Sequence, residues 1–224
     1  MCGRFAFYSP AEAAASLFGV EDPPPVEPRY NIAPTQYIAA VRAADDRRRE
    51  LVMLRWGLVP FWAKEASIGN RMINARAETV AEKPAYRAAW RHRRCLVLAD
   101  GFYEWHTAGD KKIPWFISAA SGEPFAFAGL WESWNDPASD EPLRTATILT
   151  TAASPFMEQL HHRMPVIVAP AQSASWLDGD DDAVAGAIAA MPKMRAWPVS
   201  RTVNNARNEG AGLIDADGEA LSEA

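Results

Sequence analysis

The pattern of apolar and polar positions predicts many strands of varied length and a few short helices. Residues 37–41 and 50–55 read as paired strands joined by the polar turn 43–49. Residues 94–105 (RCLVLADGFYEW) read as a buried strand that breaks at Gly101, and 113–119, 125–131, 145–151 and 166–168 are further strands. Residues 11–18 predict a helix with Ser9 as N-cap and Pro10 in the first turn. Further helices are expected over 81–90, 171–177 and 182–190. The proline-rich 21–28 (EDPPPVEP) must be an extended loop, because proline removes donors and fixes φ. Residues 209–224, rich in Gly, Ala and acids, predict a frayed tail. With no internal repeat and no long linker, this is one α+β domain: a single compact unit with a mainly antiparallel or mixed β core and short peripheral helices.

Composition narrows the class. No apolar run approaches the roughly 20 residues of a membrane span, and MCGRFAFYSP lacks a charged region ahead of a long apolar stretch. No signal peptide and no membrane partner are therefore expected. Two cysteines, Cys2 and Cys95, make no disulfide framework, which fits a reducing cytoplasm. Net charge is −5, but five acids lie from Glu209 onward without a Lys or Arg. Residues 41–94 hold thirteen bases against six acids, and arginines outnumber lysines 18 to 5. Arginine forks suit phosphate, although a GC-rich coding bias would leave the same composition.

Four constellations carry candidate chemistry. Cysteine is small enough at position two to permit removal of Met1, which would leave Cys2 with an amine and a thiol on adjacent carbons. The amine has a pKa of about 8 and the thiol about 8.5. Such a 1,2-aminothiol captures one aldehyde twice and closes a thiazolidine; a chance cysteine after the start is the alternative. Asn74 and Glu104 sit in apolar-flanked stretches where a polar side chain needs a partner or a task. Glu104, between Tyr103 and Trp105, suits proton transfer or a structural bond equally. His161-His162-Arg163 offers a proton shuttle, with an arginine two positions on that could hold phosphate on the same face of an extended segment. Arg55, Trp56, Phe61, Trp62, Lys64, Arg71 and Arg76 interleave aromatic faces and cations as a single-strand groove does. The same aromatics are also core candidates, which is the reading preferred for Trp56, Trp105 and Trp131. No metal or cofactor is expected: adjacent histidines in a strand point opposite ways, HExxH is missing, and the cysteines lack ligand spacing. Cys95 reads as an inert core residue.

These pieces, in order, resemble the SOS-response-associated peptidase (SRAP) family. The match comprises MCGRF at 1–5, RYNIAPTQ at 29–36, RWGLVPFWAK at 55–64, INARAET at 73–79 and CLVLADGFYEW at 95–105. KKIPWFI at 111–117, ILTTAA at 148–153, HHRMPVIV at 161–168 and VSRTVNNARNEG at 199–210 complete it. The resemblance implies a domain over 1–213 with a flexible acidic end at 214–224. It also implies a sensor of abasic sites in single-stranded DNA that forms a thiazolidine crosslink; a monomer is expected. Cys2 would be the nucleophile, Asn74 would orient the amine or opened sugar, Glu104 would handle protons, and His161 would act as general acid/base. Arg4, Arg76, Thr150 and Arg163 match strand contacts, and Phe61–Trp62 matches a wedge against an exposed base. The family name suggests a second reading, with Cys2 as a peptidase thiolate. A non-catalytic single-strand binder is the third; it leaves Cys2 without a role.

Overall fold

The computed structural model describes residues 2–44, 48–136, 139–189 and 191–223. Its strands are β1 (Phe5–Phe7), β2 (Arg29–Ile32), β3 (Tyr37–Ala43), β4 (Arg49–Trp56), β5 (Asn74–Arg76), β6 (Arg94–Ala99) and β7 (Gly101–Ala108). They continue with β8 (Lys111–Ala119), β9 (Phe125–Trp134), β10 (Leu143–Ala152), β11 (Arg163–Pro165), β12 (Ile167–Val168), β13 (Met194–Pro198) and β14 (Leu221–Ser222). Short helices lie between them: α1 (Ala11–Leu17), α2 (Arg87–His92), α3 (Pro155–Glu158), α4 (Ser173–Asp178) and α5 (Asp181–Ala189).

One sheet runs β14-β13-β8-β7-β1-β2, and every pairing in it is antiparallel. The other contains the path β10-β4-β3-β6-β9, and β10 pairs with β9 again, so these five strands close into a barrel. β10 runs parallel to β4 and β5, which makes the second sheet mixed. The α+β expectation holds.

The strand period explains how the two sheets share a core. Phe5 and Phe7 face the main core and Ala6 faces a smaller cluster on the opposite side; Phe102 and Tyr103 divide in the same way. Phe5 packs edge-on against Trp56 at 5.2 Å and Phe127 at 5.5 Å. This pins β1 between β2 and β7 and holds that strand at the seam of the two sheets.

The break in residues 94–105 marks a change of sheet: β6 belongs to the barrel and β7 to the six-stranded sheet. Gly101 opens β7 because a Cβ there would overlap the Phe116 ring and stand 2.7 Å from the Ile117 carbonyl. Gly101→Ala is expected to lower unfolding free energy by about 1–3 kcal/mol, read as a shifted urea midpoint at unchanged slope.

Four local expectations are corrected. Ser9 does not cap α1; its hydroxyl donates to the Asp100 carboxylate, which also accepts from the Tyr8 and Ser9 amides, and Pro10 takes the N-cap position. The helix expected over 81–90 shrinks to Arg87–His92, because Pro84 lacks an amide and disfavours helix before it. The other two helices form as α4 and α5, while residues 45–47 of the polar turn lie outside the described residues. His161 and His162 do not point opposite ways: they lie in the irregular bend before β11, not in a strand, and their rings stack with centroids 4.4 Å apart.

The frayed tail is the fourth correction, because residues 209–223 dock. Glu209 accepts from Arg29 Nε (2.7 Å) and the Tyr30 amide (2.9 Å), Leu213 is buried, and β14 pairs with β13. Glu223 likewise accepts from the Met194 amide at 3.0 Å.

Candidate functional site

Cys2 lies fully buried three residues before β1, with its thiol 4.0 Å from the Arg4 carbonyl oxygen. Burial pushes the thiol well above its ordinary range, and the Glu104 carboxylate adds to that shift. A resting thiolate is therefore disfavoured. Asn74, the first residue of β5, donates from Nδ2 to the Cys2 carbonyl at 2.7 Å. Its Oδ1 is buried and has no hydrogen-bond partner among the described residues, so one acceptor stands ready beside the cysteine.

Glu104 is 4% exposed. Two positions after Phe102 on β7, it shares the face that packs on the barrel, which brings its charge to bear on Cys2. Glu104 and His161 line one open cleft of about 640 Å³, together with Trp105, Lys112, Leu160 and His162. His161 Nδ1 lies 3.0 Å from both the backbone nitrogen and the carbonyl oxygen of Arg163, so one residue fixes the ring in either neutral tautomer. Asn74 thus meets Cys2 through a hydrogen bond, Glu104 acts on Cys2 through its charge, and His161 joins Glu104 along the cleft.

The expected strand contacts divide. Arg76 is exposed on β5, beside Thr150 in the β10 register. Thr150 is fully buried, and its hydroxyl accepts from Arg163 Nη2 at 3.3 Å, so it steadies Arg163 rather than facing solvent. Arg163 itself is held by Glu78 through two bonds of 2.6 and 3.0 Å. Arg4 is half-buried on the face of Ala6; its Nη1 donates to Asn31 Oδ1 (2.7 Å) and the Val203 carbonyl (2.8 Å), and its guanidinium lies over Trp105 at 5.9 Å. Phe61 and Trp62 are 60% and 51% exposed, the most exposed large aromatics apart from Tyr37 among the described residues. Trp62, Lys64, Ile68 and Arg71 line a separate concavity of about 360 Å³.

Sequence reasoning missed three residues. Asn31 is fully buried and donates to the carbonyls of Val203, Asn205 and Asn208, tying that late segment to the Arg4 side chain. Its signal was a lone amide in the apolar setting of RYNIAPTQ. Glu78, in INARAET, carried no local signal at all. Trp105 was read as core, but it lines the cleft, and its Nε1 donates to Asn204 at 2.7 Å. Trp56 is core as expected, and Trp131 is half-buried beneath the Arg42 guanidinium at 4.1 Å.

A closed barrel joined to an antiparallel sheet, with buried Cys2 bonded through its carbonyl to Asn74 and within electrostatic reach of Glu104, defines the class: a single-domain α+β protein. The family model described as SOS response associated peptidase (SRAP) matches residues 1–206, and the chain belongs to that family. It is 42% identical to the abasic site processing protein YoaM of Bacillus subtilis, over 97% of this chain and 99% of the relative. Identity to the abasic site processing protein YedK of Escherichia coli is 32%, over 96% of this chain and 99% of that protein. A crystal structure of a protein from Bacteroides thetaiotaomicron shares the fold, with a TM-score of 0.85 at 23% identity, covering 96% of this chain and 99% of that one. No helix among the described residues is long and apolar enough to cross a membrane.

Proposed function

We propose that this protein captures abasic sites in single-stranded DNA as a thiazolidine on Cys2. The Asn74 bond to the Cys2 carbonyl, beside the Glu104 charge, carries the reading, because it orients the backbone of the residue whose amine and thiol must both react. Relatives named for abasic-site processing support it.

Removal of Met1 by hydrolysis frees the Cys2 amine. That amine attacks the C1′ aldehyde of the ring-opened sugar, and the carbinolamine loses water to give an imine. The thiol then gives its proton to Glu104, sulfur bonds to the imine carbon, and the nitrogen takes up a proton. His161, across the cleft, serves the sugar oxygen as acid and base during ring opening. Asn74 Oδ1 accepts a hydrogen bond from the amine as it attacks. A buried, protonated thiol is a poor peptidase nucleophile but a suitable second partner once the imine is in place. Intact mass spectrometry tests the scheme: the adduct should weigh protein without Met1 plus DNA minus one water.

Strand affinity comes from Arg76 and Arg163 on the strands beside β10, with Phe61 and Trp62 as stacking faces. Arg4, already committed to Asn31 and Val203, positions the N-terminal strand. Non-covalent binding to an intact single strand should weaken with salt, and Arg76→Ala should flatten the log–log slope by roughly one unit. Duplex of equal length should bind less well, since its bases cannot reach Phe61 and Trp62. Equal affinity for both, without salt dependence, would sink the groove.

A further inference from the structure

A carboxylate sits where the proposed function requires a phosphate. Glu78 Oε1 accepts from Arg163 Nη1 at 2.6 Å and Oε2 from Nη2 at 3.0 Å, the parallel geometry in which a guanidinium grips any planar or tetrahedral oxyanion. The inner side of the same group is spent on the protein: Nη2 also donates to the Thr150 carbonyl (2.7 Å) and hydroxyl (3.3 Å). The Arg163 side chain is 13% exposed and that of Glu78 46%, so the carboxylate covers the fork from the solvent side. An anion arriving from solvent meets Glu78 before it meets Arg163. The bond from Arg163 holds the Glu78 carboxyl below the usual carboxylate range, so it is ionised at neutral pH.

We propose that Glu78 is a specificity-determining residue: an internal stand-in for phosphate that occupies the Arg163 fork until a strand displaces it. The inference rests on the reading of Arg163 as a strand contact. Its consequence is a threshold. Exposed Arg76, two residues before Glu78, offers an open charge to any polyanion, whereas Arg163 adds its contribution only when a backbone is placed well enough to replace two short bonds. Weak, poorly registered polyanions are filtered out, and a strand seated in the cleft is retained.

The test uses fluorescence anisotropy with an undamaged oligothymidine at low salt, which separates binding from crosslinking. Wild type, Glu78→Gln, Arg163→Ala and the double variant are compared, with circular dichroism to check folding. Glu78→Gln should bind about three- to tenfold tighter, a gain of function that a purely structural role would not produce. In the Arg163→Ala background the same change should alter affinity by less than about twofold. Weaker or unchanged binding by Glu78→Gln would overturn the proposal and make Glu78 only a support for Arg163. An equal gain in both backgrounds would also overturn it, by assigning the effect to bulk charge. If Arg163→Ala fails to weaken binding, the strand reading of Arg163 is what fails, and the internal competitor falls with it.

Discussion

Protein that keeps Met1, or carries an uncleaved tag in front of Cys2, will form no heat-stable adduct with an abasic oligonucleotide. A thiazolidine needs the amine and the sulfur of one residue, and acylation turns that amine into an amide whose lone pair is delocalised. The remaining thiol can give only a hemithioacetal, which should not survive denaturation. Specific proteolysis that exposes Cys2 should restore the adduct in full. Cys2→Ala after Met1 removal should leave at most a borohydride-trappable imine, because no sulfur remains to close the ring. The loss is complete in each case, larger than any rate effect at the surrounding residues. Gel analysis after heating, with the adduct mass as identity check, reads the result. Undiminished stable crosslinking by verified tagged protein would rule out this chemistry and return Cys2 to the role of a simple thiolate.

Glu104→Gln and His161→Ala should each slow adduct formation or reversal, by roughly a hundred- to ten-thousand-fold where proton transfer limits the rate. Two opposed effects meet at Glu104. The glutamine removes the group that accepts the thiol proton, but it also removes a charge that disfavours the thiolate. Burial is the larger cause of the raised thiol, and the substitution leaves it in place, so loss of the base should win. The adduct mass should not change, since an aldehyde reacts with an aminothiol unaided. Quenched time courses of formation and of reversal, followed separately for each variant, would distinguish the two sites. Wild-type rates of both formation and reversal in both variants would remove Glu104 and His161 from the catalytic scheme.

Much of this was legible along the chain, because strands are written as period-two patterns and turns as glycine and proline. Residues 37–41 and 50–55 became β3 and β4, and the break at Gly101 lay where β7 begins. Cys2 and Asn74 were visible through residue type: a thiol next to a removable methionine, and an amide among apolar neighbours. Local pattern failed where a side chain reached a distant partner. Ser9 has the chemistry of a helix cap, yet Asp100, 91 residues on, took its hydroxyl. The acidic end looked soluble enough to fray, yet Glu209 found Arg29 and Leu221 found the open edge of β13.

The sequence by itself determined the element types, the two-sided alternation of strands such as Phe5–Phe7, and the cysteine at position two on which the proposed chemistry rests. These depend on backbone period and on covalent chemistry, which neighbours in the chain specify. Only the tertiary structure decided what each polar group is free to do. Three arginines matched strand contacts equally well; folding left Arg76 exposed, committed Arg4 to Asn31 and placed Glu78 across Arg163. A guanidinium carries the same charge wherever it stands, but its availability depends on which oxygens lie within about 3 Å of it. That distance is set by the closure of the barrel and the seam between two sheets, and pairings across tens of residues are absent from any local stretch of sequence.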